Sequence, residues 1–321
     1  MADVVIHKLN EVHLKIEAEP HVDYELRDHF TFEVPNAKFM PQYRGRNWNG
    51  EIHLYDLRSK RLYVGLLDRL ISFCVNREYK VKFQSNKFYG SPFEINEGIS
   101  REGVKDYIKS ITNLKARDYQ VEGVYDALRH NRKLLISPTA SGKSLMIYAI
   151  VRYFVSKNQK ILLVVPTTSL VEQMYKDFAD YGWVPDSYCH RIYSGREKTN
   201  EFPVTITTWQ SIYKLERSFF EDYSVVIGDE AHLFKSKSLI SIMTKLDNAK
   251  YRFGFTGTLD GTQTHKWVLE GAFGPSYKVT RTAELMEKGH VAKLDITCIV
   301  LKHPPQKFEV FEDEVQYIIG H

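Results

Sequence analysis

Ser137-Pro138-Thr139-Ala140-Ser141-Gly142-Lys143-Ser144 stands between the short apolar run Lys133-Leu134-Leu135-Ile136 and Leu145-Met146-Ile147-Tyr148-Ala149-Ile150-Val151, a segment with helical periodicity. The order is strand, loop, helix. A loop that closes on Gly142-Lys143-Ser144 in this setting turns backbone N–H groups and a helix N-terminus toward an anion. Lys143 is placed to reach the β- and γ-phosphates of a nucleotide, and Ser144 to offer a hydroxyl to Mg²⁺.

Gly-Lys-Ser alone is a weak signal, and Ser137 stands where the usual pattern has its first glycine. The second half of a nucleotide site follows at a sensible distance. Val225-Val226-Ile227-Gly228 reads as a buried strand, and it runs into Asp229-Glu230-Ala231-His232. Asp229 at the strand end can hold the metal through a water, while Glu230 can orient and deprotonate an attacking water.

From Leu114 onward apolar strands alternate with amphipathic helices, the pattern of a parallel sheet covered on both faces. The strand candidates are Leu134–Ser137, Ile161–Pro166, Val204–Thr207, Val225–Asp229 and Arg252–Thr256. Ligands bind such sheets at the carboxyl ends of the strands, where both motifs lie.

The preceding ninety residues read as a small α+β unit. Val12, Leu14 and Ile16 alternate with His13, Lys15 and Glu17, which predicts a strand with one buried face. Val22, Leu26 and Phe30 recur at helical spacing, as do Leu66, Leu67, Leu70, Ile71 and Cys74. Extended pieces are expected near Phe30–Val34, Glu51–Tyr55, Arg61–Val64 and Tyr79–Phe83. Residues 85–112 are polar and hold Gly90, Pro92 and Gly98, so the boundary falls there, with Ser100–Ile111 as a helical spacer.

Composition bounds the class. The 321 residues have room for two domains, and 43% hydrophobic with 26% charged residues is a globular balance. The apolar runs are strand-sized and the N-terminus lacks a signal-peptide pattern, so neither a membrane partner nor secretion is expected. Cys74, Cys189 and Cys298 are odd in number and far apart, which argues against a disulfide framework or a zinc cluster and makes a reducing cytoplasmic setting the default.

The net charge of +4 hides a contrast: residues 1–34 carry 3 Lys/Arg against 8 Asp/Glu, residues 38–90 carry 11 against 4. The basic block permits a phosphate-binding face. Within it lies Gln42-Tyr43-Arg44-Gly45-Arg46-Asn47-Trp48-Asn49-Gly50. Arg44, Arg46 and Trp48 are the residue types that grip phosphates and stack on unpaired or end bases. They equally suit a hairpin whose Trp48 and Tyr43 complete a core while the arginines sit in water.

These motifs, with four more, resemble the first motor domain of superfamily-2 helicases. Arg117-Asp118-Tyr119-Gln120 is similar to the adenine-recognition motif of that family, in which a Gln amide can pair with adenine. Val164-Val165-Pro166-Thr167-Thr168-Ser169-Leu170-Val171-Glu172-Gln173 resembles motif Ia. Thr207-Thr208-Trp209-Gln210-Ser211 resembles the next nucleic-acid-contacting motif. Asp229-Glu230-Ala231-His232 is motif II of the DExH type and Thr256-Gly257-Thr258-Leu259 is motif III. The closer resemblance is to the phage UvsW-type DNA helicases, carried into the N-terminal part by Glu25-Leu26-Arg27-Asp28, the Asn47-Trp48 loop and Gly65-Leu66, and onward by Leu285-Met286-Glu287 and Ile296-Thr297.

The resemblance implies an α/β, RecA-like motor domain over 113–285, preceded by an α+β accessory DNA-binding domain over 1–90 and a linker with a spacer helix over 91–112. It implies a linker and the start of a truncated second motor domain over 286–321. It implies an ATP- and Mg²⁺-dependent DNA helicase or translocase, monomeric and cytoplasmic (that of a host cell if phage-encoded), acting on forks, recombination intermediates and R-loops. A 321-residue piece without the arginines of the second domain is expected to hydrolyse ATP weakly or not at all.

By the same resemblance Arg117, Gln120 and Thr139 to Ser144 bind ATP, with Lys143 and Glu230 catalytic. Ser144 and Asp229 hold Mg²⁺. His232, Thr256 and Thr258 couple the nucleotide to movement, and Pro166, Thr167, Thr168, Thr208 and Trp209 join Arg44, Arg46 and Trp48 on DNA. Ser137 and Ala140 depart from motif I but are compact, so backbone approach to phosphate survives; Gly228 replaces a bulkier residue before motif II. A P-loop kinase or small-molecule ATPase would share motifs I and II without needing Pro166-Thr167-Thr168 or Thr256-Gly257-Thr258. A non-catalytic nucleic-acid-binding protein would have no chemical need to keep Lys143, Ser144, Asp229 and Glu230 together.

Overall fold

A computed structural model describes residues 2–34, 36–92, 94–193, 201–233, 236–259, 263–292 and 297. Its N-terminal unit is built on β1 (Val4–Lys8), β2 (His13–Ala18), β3 (Thr31–Glu33), β4 (Glu51–His53), β5 (Arg61–Tyr63) and β6 (Val81–Gln84). Four of these form a sheet in the order β5-β2-β1-β6, and β3 pairs with β4 in a separate antiparallel ribbon. Alternation in β1 and β2 buries Val4, Ile6, Leu14 and Ile16 completely against Val22 and Leu26 of the helix Pro20–His29 and Leu70 and Cys74 of the helix Leu67–Asn76. Strand β1 was not expected from sequence. Its pattern is broken by Lys8, which is buried with an ionic partner rather than solvated.

The larger unit is a seven-stranded, all-parallel sheet. Its strands are β7 (Arg132–Ile136), β8 (Ile161–Val165), β9 (Cys189–Ile192), β10 (Val204–Thr208), β11 (Val225–Gly228), β12 (Tyr251–Thr256) and β13 (Ser276–Lys278), in the order β13-β7-β12-β11-β8-β10-β9. Strands β8, β10 and β11 are buried along their whole length, as strands covered on both faces must be. Each expected strand is present. The two unexpected ones, β9 and β13, are the edges, short and partly exposed, so they lack an apolar run.

The Arg101–Ile111 helix is not a free spacer. Val104 and Ile108 are buried in the core of the larger unit, Tyr107 Oη donates to the Ala149 carbonyl (3.3 Å), and Tyr148 Oη donates to that of Ile111 (3.0 Å). The two units are also joined directly. Trp267, on the helix Gln263–Phe273, lies 5.7–6.0 Å from the rings of His29, Phe30 and Phe32, with the Arg69 guanidinium 4.7 Å over its face. Arg69 also pairs with Glu270 at 2.7 Å. The chains approach so closely at Gly65 that a Cβ there would overlap the Glu270 carbonyl oxygen.

Among the described residues no helix is long and apolar enough to cross a membrane. Most of the 286–321 segment, with Ile296 and Cys298, lies outside the described residues.

Candidate nucleotide and nucleic-acid site

The loop after β7 is held in shape before any nucleotide arrives. Ala140 and Gly142 both adopt positive φ (64° and 78°), which turns the backbone back on itself ahead of the helix Lys143–Val155. Ser137 Oγ and Ser141 Oγ are 2.6 Å apart, and Ser141 Oγ donates to the Pro138 carbonyl (2.6 Å), so the two serines brace the loop from inside. Thr139 and Ala140 stay exposed at its rim.

Gln120 lies under this loop rather than beside it. Its Nε2 donates to the Ser141 carbonyl (2.9 Å) and its Oε1 accepts the Arg117 backbone N–H (2.8 Å), with the residue only 4% exposed. Tyr119 Oη donates to the same Ser141 carbonyl (3.0 Å) and is held by Arg117 Nη1 (2.7 Å). The expected adenine-reading amide is therefore committed at both ends to the protein. Tyr119 was quoted in the motif but given no role, and a phenol two residues from Arg117 was the available signal.

Lys143 and Glu230 meet as an ion pair across the mouth of the loop. Glu230 has a positive φ of 46°, and its backbone N–H donates to Asp229 Oδ1 (2.9 Å). Asp229 is buried, and that burial pushes its carboxyl up to about 6, with the Lys143 charge opposing the rise and Glu230 adding to it. His232 Nδ1 lies 3.4 Å from Glu230 Oε2 and 2.7 Å from Thr256 Oγ1. Because Thr256 Oγ1 donates to the Thr258 carbonyl (2.6 Å), it accepts from His232, and motifs II and III are joined. Gly257 packs beside the loop: a Cβ there would stand 3.6 Å from Lys143 Nζ.

Ser144 and Asp229 offer only oxygen donors, the set that suits Mg²⁺. Burial raises the nearby Asp177 carboxyl above its ordinary value, and the Ser144 side chain opposes that rise.

On the neighbouring strand ends Thr167 caps the helix Thr168–Asp180, its Oγ1 accepting the Leu170 N–H (3.4 Å). Thr167 and Thr168 are exposed and Trp209 is half-buried. Pro166 and Thr208, expected on DNA, are instead buried. Pro166 gives its carbonyl to Gln210 Nε2 (3.1 Å) and Thr208 Oγ1 sits 2.9 Å from Ser211 Oγ. They shape the two loops, and Gln210, given no role from sequence, ties one loop to the other.

In the accessory unit Arg44 and Arg46 are exposed on an open cleft, while Trp48 is half-buried with its Nε1 donating to the Glu51 carbonyl (2.7 Å). The loop thus divides between its two sequence readings: arginines outward, indole anchored.

Two family descriptions match this chain: "Type III restriction enzyme, res subunit" over residues 113–261 and "DNA helicase UvsW, N-terminal" over residues 3–84. The ATP-dependent DNA helicase uvsW of Enterobacteria phage T4 is 31% identical over 334 residues, covering 99% of this chain and 65% of that protein. A crystal structure of the UvsW helicase from bacteriophage T4 superposes with a TM-score of 0.76 at 32% identity, covering 86% of this chain and 99% of that one. The DNA 3'-5' translocase XPB2 of Sulfurisphaera tokodaii is 28% identical over 181 residues, 56% of this chain and 36% of that protein.

Proposed function

The chain belongs to the UvsW type of superfamily-2 DNA helicases, and on that premise we propose that it uses ATP hydrolysis to move along and remodel DNA. Branched duplexes are the substrates proposed: forks, recombination intermediates and R-loops. The observation that carries the reading is the Lys143–Glu230 pair between the phosphate loop and the carboxyl end of β11, beside the buried Asp229.

In this reading the triphosphate draws Lys143 away from Glu230 and onto its own oxygens. Glu230 is thereby released to accept a proton from the attacking water. Ser144 and Asp229 would hold Mg²⁺, which supplies neutralisation of the phosphate charge. The His232–Thr256 contact carries the change at Glu230 to Thr258. Nucleic-acid phosphate is met by the exposed Thr167 and Thr168 at the N-terminus of the thirteen-residue helix, with Trp209 alongside.

The test is ATP turnover by the full-length protein with closed duplex, forked DNA and RNA–DNA hybrid. Stimulation is expected, strongest with a branch. Turnover indifferent to all three nucleic acids would overturn the reading.

A further inference from the structure

The helix Gln263–Phe273 belongs to two cores at once. Val268 is buried in the core of the N-terminal unit, the one that holds Phe30, Leu66 and Leu70, and Trp267 packs against the same group. Leu269, Ala272 and Phe273 are buried instead with Leu134, Val226 and Ala231 of the larger unit. Ala231 is the residue after Glu230, and Leu259 of motif III packs against that second core as well.

Neither side of the helix has slack. Toward the N-terminal unit a Cβ at Gly65 would stand 2.0 Å from the Glu270 carbonyl oxygen, and one at Gly271 would stand 3.3 Å from the Tyr63 side chain. Arg69 lies over the Trp267 ring and pairs with Glu270, whose other oxygen accepts from Ser276 Oγ (2.7 Å). Toward the nucleotide site a Cβ at Gly254 would stand 2.8 Å from the Phe273 ring. Gly254 lies in β12 two residues before Thr256, whose hydroxyl meets His232. Interiors packed this closely pass a displacement on rather than absorb it.

We propose that this helix couples the nucleotide site to the N-terminal unit, with Trp267 as the positioning residue at its far side. The rearrangement of Glu230, His232 and Thr256 on nucleotide binding shifts the end of β12; Phe273 carries the shift into the helix, and Trp267 carries it to His29, Phe30 and Phe32. Such coupling is reciprocal, so DNA held by the N-terminal unit changes nucleotide affinity by the same factor as nucleotide changes DNA affinity. The proposal rests on the DNA-motor reading and adds to it a route by which the N-terminal unit senses the state of the ATP site.

The experiment uses the full-length protein and measures affinity for a forked duplex with and without a non-hydrolysable ATP analogue and Mg²⁺, for the parent, Trp267→Ala and Trp267→Phe. Couplings between sites change affinity by roughly 5- to 150-fold. Trp267→Ala should lower the parent's with-to-without ratio by about fivefold or more while the analogue binds the DNA-free protein as before, and Trp267→Phe, which keeps a ring against His29 and Phe30, should retain most of the ratio. A ratio unchanged in Trp267→Ala, or a parent ratio near one with both ligands bound, overturns the proposal. Should Trp267→Ala fail to fold, tryptophan emission decides. Analogue added without DNA should change the parent's emission and leave that of Trp267→Phe, which retains Trp48, Trp183 and Trp209, nearly unaltered; an equal change in both overturns the coupling. A parent that binds neither the analogue nor the fork would instead bring down the motor reading itself, so the two failures are distinguishable.

Discussion

Lys143, first residue of the helix behind the phosphate loop, is ion-paired with Glu230, 87 residues further along the chain. Each is the other's partner, so a nucleotide must compete for Lys143 before Glu230 can act. Lys143→Ala should remove productive nucleotide binding, a loss of at least tenfold for a charge-assisted bond worth about 1.5–3 kcal/mol. Glu230→Gln removes the competitor and should bind ATP as tightly as the parent or more so, yet not turn it over, since an amide cannot take the water's proton. Calorimetric affinities with steady-state turnover check both. A Glu230→Gln protein that hydrolyses ATP at the parent rate would show that Glu230 is not the base.

Asp229 trades stability for chemistry. Burial raises its carboxyl to about 6, above its ordinary value of 3.8, so the ionised form is penalised in the folded state. The folded state therefore holds the proton more tightly than the unfolded one, and this group's contribution falls as pH rises from about 4 to about 6. Asp229→Asn lacks that penalty, which corresponds to at most about 3 kcal/mol. The variant should melt higher than the parent at pH 7, with the gap closing toward pH 4, while metal-dependent nucleotide binding is lost. Equal melting temperatures at pH 7 would contradict the assignment.

Gln120 holds Ser141 and Arg117 at once, at 2.9 and 2.8 Å. Gln120→Ala should loosen the phosphate loop and weaken ATP and CTP alike, by roughly two- to tenfold for one or two neutral hydrogen bonds. From sequence alone an adenine-selective loss is expected. If only ATP weakens in a titration of both nucleotides, the amide leaves the loop for the base on binding.

The difference over Gln120 shows where sequence runs out. Central strands were legible because a strand buried on both faces must be apolar throughout, as Ile161–Val165 is. Lys143, Ser144, Asp229 and Glu230 were legible because phosphate and metal chemistry need those groups after a strand. Which way a side chain turns was not. Pro166 and Thr208 sit in motifs expected from sequence to face nucleic acid, yet both are buried, because a loop needs residues that hold it as well as residues that touch its ligand.

The join between the two units was equally hidden. Glu11 pairs with Lys8 at 2.8 Å and with Arg132, and its backbone N–H donates to the Asp247 carbonyl (3.0 Å). Burial works against the ionised carboxyl, but the Arg132 and Lys8 charges outweigh it and hold Glu11 below its ordinary value. Glu11→Gln leaves Lys8 and Arg132 without their hydrogen-bonded counter-charge, with Glu94 acting on them only through its charge, and should cost about 3–5 kcal/mol in urea unfolding. The parent's Glu11 contribution is complete above about pH 4.5 and is lost as pH falls below it, so the gap between parent and variant should narrow on acidification. A variant within about 1 kcal/mol of the parent at pH 7 would show that this contact does not hold the units together.

The arginines of the accessory lobe give the last prediction. Arg44 and Arg46 are exposed, and the nearest arrangement around them is an open cleft rather than a closed pocket, so their contacts should be with phosphates and carry little sequence information. Arg44 Nε is tied only loosely, to the Lys38 carbonyl at 3.4 Å, which leaves the guanidinium's other donors for a ligand. Each phosphate neutralised releases about one counterion, so Arg44→Ala with Arg46→Ala should lower the slope of log affinity against log salt by roughly one to two. The loss should be similar for forked and closed DNA, because phosphates are present on both. Affinities measured between about 50 and 200 mM salt span the range over which such a slope is read. An unchanged slope would return the two arginines to solvent and leave DNA binding to Thr167, Thr168 and Trp209.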